Sequence, residues 1–339
     1  MKQVPIIALA IGDPNGIGPE IAVKAAARLT DAAGPRVVLV GDAAVVRWYA
    51  ERCAADLRVR QVDSTTALPA RDAALIDLLD VAALAPQAFV PGEVSAAAGT
   101  ATLAYVSAAL AFAQAGRAHA VVACPHSETA INASGVRFAG YPGFVAQQMG
   151  LAADDVYLLL VGGGLRIVHA TLHEGIAGAL ARLSRQHVEG AARAAVSALQ
   201  LMGVAHVRVG LMGINPHAGE GGLFGHEDIE ITEPAALALR AEGIEVIGPQ
   251  GADLLLTRDD VDVFVAMYHD QGHIPVKLRA GRHSAALSIG AGVVFSSVGH
   301  GSGFDIAGTL KADAGPLLGA ISLLASGSLP APVEPSSIS

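Results

Sequence analysis

The sequence predicts an α/β fold with a mostly parallel sheet, and three observations point to it. Apolar runs of strand length alternate with helical patterns along the chain. Apolar residues make up 52% of the sequence and aromatics only 4%, so the core must be built from Ala, Val, Leu and Ile. The residues with the most chemistry fall where strands end, which is where open α/β sheets bind ligands. A length of 339 residues suits one large α/β unit or two intertwined lobes. No internal repeat is present.

Taken in order, Ile6 to Ile11 is the first strand, and an Ala-rich helix runs from about Pro19 to Leu29. Proline suits a first helical turn because its missing N–H would have no partner there. Between them lies Gly12-Asp13-Pro14-Asn15-Gly16-Ile17-Gly18-Pro19-Glu20. Its glycines permit close backbone approach and the helix N-terminus favours negative charge. The spacing is neither the dinucleotide fingerprint nor a P-loop, so a structural turn and a ligand loop are both open. Arg36 to Val40 is a second strand, and Asp42 is placed as the cap of a helix carrying Trp48 and Tyr49. Patterning weakens from Arg60 to Pro91, with Pro69, Pro86 and Pro91 as breaks. Ser95 to Gly116 is uncharged and long enough to span a bilayer. Its Ala, Ser, Thr and Gly insert poorly, which predicts a helix packed inside the protein or against a second subunit.

Ala118 to Cys124 is a strand, with a helix starting at Glu128. Val156 to Val161 and Leu165 to Thr171 are strands joined by a tight turn at Gly162-Gly163-Gly164. Helices follow over Gly175 to Leu183 and Val188 to Met202, then a strand over Val207 to Met212 and a helix over Ala235 to Glu242. A buried strand beginning at Val261 is expected to break into a loop, Tyr268-His269-Asp270-Gln271-Gly272, leading to Lys277. The last helix covers Pro316 to Leu324, and the Pro- and Ser-rich tail after Leu329 is expected to fray.

Composition narrows the function classes. A net charge of −9 with no basic cluster argues against nucleic acid or an anionic membrane as partner. Only two cysteines occur, Cys53 and Cys124, without a Cys-x-x-Cys spacing. Together with an N-terminus lacking a signal-peptide pattern, this predicts a reducing, cytoplasmic setting. Cys124 is expected to be core filler.

Four strands end in a histidine: His126, His173, His217 and His269. Imidazoles from different strands, with Asp253 and Asp270 of suitable type, suit a divalent metal with an open coordination position. Such a metal would polarise a hydroxyl or carbonyl oxygen. Lys277 would pair with an anionic substrate or move a proton. The run Ser297 to Gly308 places His300, Gly301, Ser302, Asp305 and Gly308 among small residues, as a loop pressed against a dinucleotide would, or as a Gly-rich connection before the last helix.

Gly12 to Glu20, Asn215-Pro216-His217-Ala218-Gly219-Glu220-Gly221, Tyr268 to Gly272 and His300-Gly301-Ser302 through Ala307-Gly308 together resemble the 4-hydroxythreonine-4-phosphate dehydrogenase (PdxA) family. The match covers nearly the whole chain in order. The last motif also resembles the coenzyme loop of isocitrate and isopropylmalate dehydrogenases. The resemblance implies a two-lobed fold of that type with a central cleft. Residues 1–120 with 280–339 would form the first, coenzyme-side lobe, and residues 121–279 the second, carrying metal and dimer contacts. It further implies NAD as acceptor, held by Gly12, Asp13, Gly16, Gly18 and the His300–Gly308 residues. A divalent cation is implied too, zinc first and iron, manganese, cobalt or magnesium as alternatives, along with a homodimer sharing its sites.

By position, the resemblance gives His217 and His269 as two of three metal histidines. Asp253 and Asp270 would be supporting carboxylates, and His126 and Lys277 substrate contacts, with His173 also a candidate for substrate contact or acid–base work. The Gly-His-Thr-Glu run expected to carry the third metal histidine reads Gly140-Tyr141-Pro142-Gly143 here. An Asn and an Arg expected at the substrate phosphate become Ala286 and Phe295, and Phe offers nothing like the bidentate guanidinium fork. Ala123-Cys124-Pro125-His126, Gly140-Tyr141-Pro142, Leu165 to His169 with Thr171 to Glu174, and Ala286 to Gly290 resemble the branch acting on terephthalate cis-dihydrodiol. That branch implies oxidative decarboxylation to protocatechuate. The alternatives are a 4-hydroxythreonine-4-phosphate, threonate-phosphate or erythronate-phosphate dehydrogenase and, from another class, a non-catalytic metal-dependent binder.

Overall fold

The structure is a computed structural model and describes residues 4–30, 34–138, 140–280, 284–298 and 301–326. The chain divides into two compact units, one of Met1–Met149 with Val293–Ser326 and one containing Gly150–Gly292.

The first unit begins with β1 (Ile6–Ala10), α1 (Gly18–Arg28), β2 (Arg36–Gly41), α2 (Ala43–Cys53), β3 (Arg58–Val62) and β4 (Leu75–Asp80). It continues with α3 (Ala96–Gln114), β5 (Ala120–Ala123), α4 (Glu128–Ala133) and α5 (Tyr141–Gln148). The second unit holds β6 (Tyr157–Gly162), β7 (Leu165–His169), α6 (Ile176–Arg182), α7 (Arg185–Leu201), β8 (Arg208–Met212) and α8 (Glu233–Ala241). It then adds β9 (Glu245–Gln250), α9 (Ala252–Leu255), β10 (Val263–Ala266), α10 (His269–Ala280) and β11 (Ala285–Ile289). The chain returns to the first unit through β12 (Val294–Ser297) and α11 (Gly315–Ser326).

The first unit's strands run β3-β4-β2-β1-β5-β12, all parallel. Parallel strands covered on both faces read as continuous apolar runs, and β1, β2 and β5 do so. In the second unit the order is β11-β6-β7-β10-β8-β9. There β7, β10, β8 and β9 are parallel, while β6 runs antiparallel to both β7 and β11. The expected turn between β6 and β7 is a two-residue hairpin with Gly163 at φ 58° and Gly164 at φ 79°, the left-handed pair such a loop requires. Leu160, Ile167, Met212, Phe264 and Val276 lie at the centre of this unit's core.

Four expectations are corrected. The weakly patterned stretch contains β3 and β4, whose alternation is hidden because the buried Asp77 is neutralised in place by Arg36 and Arg60. The strands β11 and β12 are likewise additions. Asp42 precedes α2 but makes no side-chain cap; its carboxylate accepts from the amides of Ala83 and Leu84 and from the Tyr105 hydroxyl. The loop expected after Tyr268 is instead α10, which tolerates Pro275 in its interior. The apolar stretch near residue 100 is α3. Long and apolar enough to cross a membrane, it is mostly buried, packed on β1, β2, β5 and α4.

Candidate active site

In the second unit, parallel register carries the histidines together. His169 at the end of β7 pairs with Ala266 at the end of β10, three residues before His269. Gln271 ties these ends down: its Oε1 accepts from the Met267 amide at 2.7 Å and its Nε2 donates to the Gly213 carbonyl, just beyond β8, at 2.8 Å. Thr171 donates to the Met267 carbonyl at 2.7 Å. The result is a run of imidazoles. His173 lies 5.6 Å from His269 between ring centroids, and His269 stacks on His273 at 3.8 Å with 12° between planes. His273 Nδ1 meets His169 Nε2 at 3.0 Å. His173 and His269 line a cleft of about 370 Å³ with Leu172, Glu174, Ile176, Ala179, Tyr268 and Asp270. Burial pushes His169 down to about 3 and His273 down to about 4, the neighbouring imidazoles adding to the depression.

Asp270 is exposed, and its Oδ1 sits 2.7 Å from His269 Nδ1. A carboxylate only accepts, so His269 carries a proton on Nδ1, and in the neutral ring that leaves Nε2 bare, the form a metal-binding imidazole needs. Lys277 is exposed and donates to Ser284 Oγ at 2.7 Å. His217 stands in a separate feature of this unit. From His217 to Gly221 every residue has positive φ, including His217 at 55°, Ala218 at 52° and Glu220 at 46°. Such left-handed geometry costs about 1–2 kcal/mol per non-glycine residue and is kept where the surroundings impose it. Asp228, fully buried, braces the chain just before this run by accepting from the Ile214 and Asn215 amides at 2.8 and 2.9 Å. Gly251, two residues before the exposed Asp253, packs against the His217 backbone. The imidazole that joins His269 in lining the cleft is thus that of His173, while the His217 ring lies 6.1 Å from Phe224.

In the first unit, Gly12 to Gly18 is entirely buried. The amides of Asp13 and Ile17 already donate to the Pro125 and Ser302 carbonyls, and the Gly16 amide donates to the Asp13 carbonyl. A side chain at Gly16 would meet the Ser302 carbonyl at 2.8 Å, so the two motifs are in direct contact. An open phosphate cradle would need free amides. What this turn retains instead is the carboxyl of Asp13, with Oδ2 buried and unpartnered among the described residues. Burial pushes its pKa up to about 6 against the lowering effect of the Asn15 and Gly16 amides. The Ser302 and Tyr141 hydroxyls are buried and unpartnered in the same way. Asp305 is exposed, Gly301 is exposed, and Gly308 packs on Pro91 at φ 76°. His300 lies outside the described residues.

Around His126 the first unit builds an aromatic wall. Its ring lies 4.5 Å from Tyr141 and 5.2 Å from Phe138, and Tyr141 lies 4.8 Å from Phe295. Phe295 is 1% exposed and Tyr141 4%. Burial lowers the His126 pKa, the Glu128 charge opposing it. Burial pushes the Cys124 thiol far up, which marks it as core.

Among the described residues, no group of three or more His, Cys, Asp or Glu side chains is arranged to hold a metal ion. The His173–His269 pair, with a bare Nε2 on His269 and an open cleft beside it, nevertheless fits part of a cation's donor set.

The family model described as Pyridoxal phosphate biosynthetic protein PdxA matches residues 33–324. The chain belongs to the PdxA family. Among PdxA-type relatives, it is 47% identical to a 1,2-dihydroxy-3,5-cyclohexadiene-1,4-dicarboxylate dehydrogenase from Comamonas sp over 94% of this chain and 96% of the relative. It is 71% identical to the crystal structure of a terephthalate 1,2-cis-dihydrodiol dehydrogenase from Burkholderia xenovorans LB400, with a TM-score of 0.86 over 97% of this chain and 100% of that one. A 4-hydroxythreonine-4-phosphate dehydrogenase structure from Burkholderia phymatum matches at 34% identity and a TM-score of 0.85, again over 97% and 100%. The PdxA assignment and the α/β fold drawn from the motifs are both established by these matches. Sequence reasoning missed His273, Gln271 as a strand-end tie, and Asp228; only the i, i+4 spacing of His269 and His273 signalled that two imidazoles share a helix face.

Proposed function

We propose that this chain is an NAD- and divalent-metal-dependent dehydrogenase that converts terephthalate cis-dihydrodiol to protocatechuate with loss of carbon dioxide. The observation that carries the substrate choice is the buried Phe295–Tyr141–His126 wall. Phe295 occupies the position at which the family pattern supplies a phosphate-anchoring arginine, and its buried ring packs on Tyr141 in place of a guanidinium that a phosphate would need. The 71% identity to a solved dihydrodiol dehydrogenase supports the same choice.

The overall reaction balances as the diol dicarboxylate dianion plus NAD+ giving the protocatechuate monoanion, carbon dioxide and NADH, with no net proton released because the proton lost from the alcohol is regained by the phenolate oxygen. The secondary alcohol loses hydride from carbon and its proton from oxygen, producing a ketone β to a carboxylate. The bond to that carboxylate then breaks, and the electron pair left behind completes the aromatic ring. A cation held by His173 and His269, with His217 as a further imidazole, would polarise the alcohol and ketone oxygens. NAD would take the hydride on the side of Ser302 and Asp305. His126, its pKa depressed by burial, is neutral near pH 7 and available to accept the hydroxyl proton. Lys277, held by Ser284, presents an ammonium group to a substrate carboxylate.

The second unit exposes Leu278, Leu223, Ile176, Ile274, Phe224 and Leu180. A second copy of the chain covering them would form the homodimer that the family pattern implies, and could bring the missing metal ligand. The decisive assay mixes purified protein, NAD and zinc or manganese with the dihydrodiol and follows NADH and carbon dioxide together. Equal release of both is expected, with no turnover of 4-phosphohydroxythreonine. Turnover of the phosphorylated acid alone would overturn the substrate, and NADH without carbon dioxide would overturn the decarboxylation.

A further inference from the structure

The run of imidazoles extends past the cleft into the core, and its inner half has no part in the reaction above. His169 is 2% exposed, and its Nδ1 lies 3.2 Å from the Leu158 carbonyl on the neighbouring strand β6. A carbonyl only accepts, so the His169 proton is on Nδ1 and its Nε2 has only a lone pair to offer. His273 Nδ1, 3.0 Å from that Nε2, must therefore be the donor. The same Nδ1 also lies 3.3 Å from the His269 carbonyl one helical turn back. Each tautomer is thus dictated by the one before it, starting from a peptide group. A wire for protons needs an end that can take a proton up, and a peptide carbonyl is no such end. The chain of bonds orients rings and does not conduct.

What it orients is His269. The His273 ring, fixed at its Nδ1 edge, lies flat against His269 at 3.8 Å and 12°. Space for this is reserved in the backbone: a Cβ at residue 272 would stand 2.3 Å from His169 Nε2 and 2.8 Å from Ile167 Cγ2. Glycine inside a helix costs about 1 kcal/mol relative to alanine, so its use here in α10 answers to the buried imidazole beside it.

We propose that His169 and His273 are positioning residues, a Leu158-anchored pair that holds the plane of the His269 ring while its Nε2 stays bare for a cation. The assignment of a cation to His269 is taken from the proposed function; the tautomers are not, and they are tested separately.

The first measurement is a two-bond proton–nitrogen correlation spectrum of metal-free protein labelled at histidine, with resonances assigned by their loss in His169→Leu and His273→Leu. Both rings are expected as the Nδ1–H tautomer with an unprotonated Nε2. An Nε2–H tautomer at either ring overturns the proposal; should a leucine variant not fold, His169→Gln and His273→Gln supply the same assignment. The second is calorimetric titration with zinc or manganese. Losing a residue that orients a metal ligand weakens cation binding by about 10- to 100-fold, so His273→Leu and His169→Leu are each expected near the lower figure. The double variant should lose no more than either single, because the pair acts as one device. Gly272→Ala, which drives His169 away, should reproduce the loss. At saturating cation the variants should recover turnover to within about threefold, an outcome that general disruption of the fold would not give. Affinities within about twofold of wild type in properly folded variants would overturn the proposal. Failure of the wild-type enzyme to turn over the dihydrodiol would sink the proposed reaction while leaving the spectrum and the titration to decide this point.

Discussion

Replacing Asp13 with Asn should change how stability depends on pH, and the size follows from burial. Asp13 is fully buried, its Oδ2 has no partner among the described residues, and its pKa is pushed up from 3.8 to about 6. A raised carboxyl pKa means that, between those two values, the unfolded chain has released a proton that the folded chain still holds. Stability therefore falls as pH rises through that window and levels off above about pH 7. The free energy involved is on the order of 3 kcal/mol, from about 1.4 kcal/mol for each pH unit separating the two pKa values. Asn cannot ionise, so the variant lacks this falling limb; part of the gain at neutral pH is offset because its amide hydrogens would be buried without acceptors, at about 1–3 kcal/mol. That offset is independent of pH, and the pH-dependent part can be isolated by difference. The assay is urea unfolding of both proteins at several pH values from 4 to 8, followed through Trp48, the single tryptophan, which packs on Tyr49 and Phe89 in the same unit. The stability of Asp13→Asn minus that of wild type should rise by roughly 2–3 kcal/mol across that range. A difference that stays flat to within about 0.5 kcal/mol would refute the claim that this carboxyl is desolvated.

Asp77→Ala should destabilise the first unit by about 3–5 kcal/mol in urea unfolding, since it leaves Arg36 and Arg60 half-buried without their shared carboxylate. Tyr141→Phe removes a buried hydroxyl that has no partner among the described residues and should raise stability by about 1–3 kcal/mol. Steady-state kinetics on the dihydrodiol should at the same time show a loss of turnover if that hydroxyl meets substrate. His269→Ala and His173→Ala should each lower NAD-dependent turnover by on the order of 100-fold or more, with calorimetry reporting weakened cation binding. Unimpaired turnover in either variant would remove it from the cation site.

Much of the fold was legible because parallel strands buried on both faces print as unbroken apolar runs, as in Val37-Val38-Leu39-Val40. The strand β4 escaped because its inward Asp77 looks like a surface residue until two arginines arrive from β2 and β3. The helix α10 escaped because Pro275 and Gly272 argue against a helix; one serves the approach of a histidine over 100 residues away in sequence. At the site, strand-end histidines were visible individually, but which of them meet depends on register. His169 entered only as part of a motif, and its pairing with His273 is set by the β7–β10 alignment. The Gly12–Gly18 turn shows what composition leaves open. Its glycines are compatible with a structural turn or a ligand loop, and only the fold shows the amides of Asp13, Gly16 and Ile17 donating to Pro125, Asp13 and Ser302.

The long helix α3 lies so close to α4 that a Cβ at Gly99 would strike the Ala130 carbonyl at 2.2 Å. Ser127 caps α4, and His126 immediately precedes that cap. A mutational scan of this enzyme should therefore score Gly99 as severely as a residue that handles substrate, although it touches none.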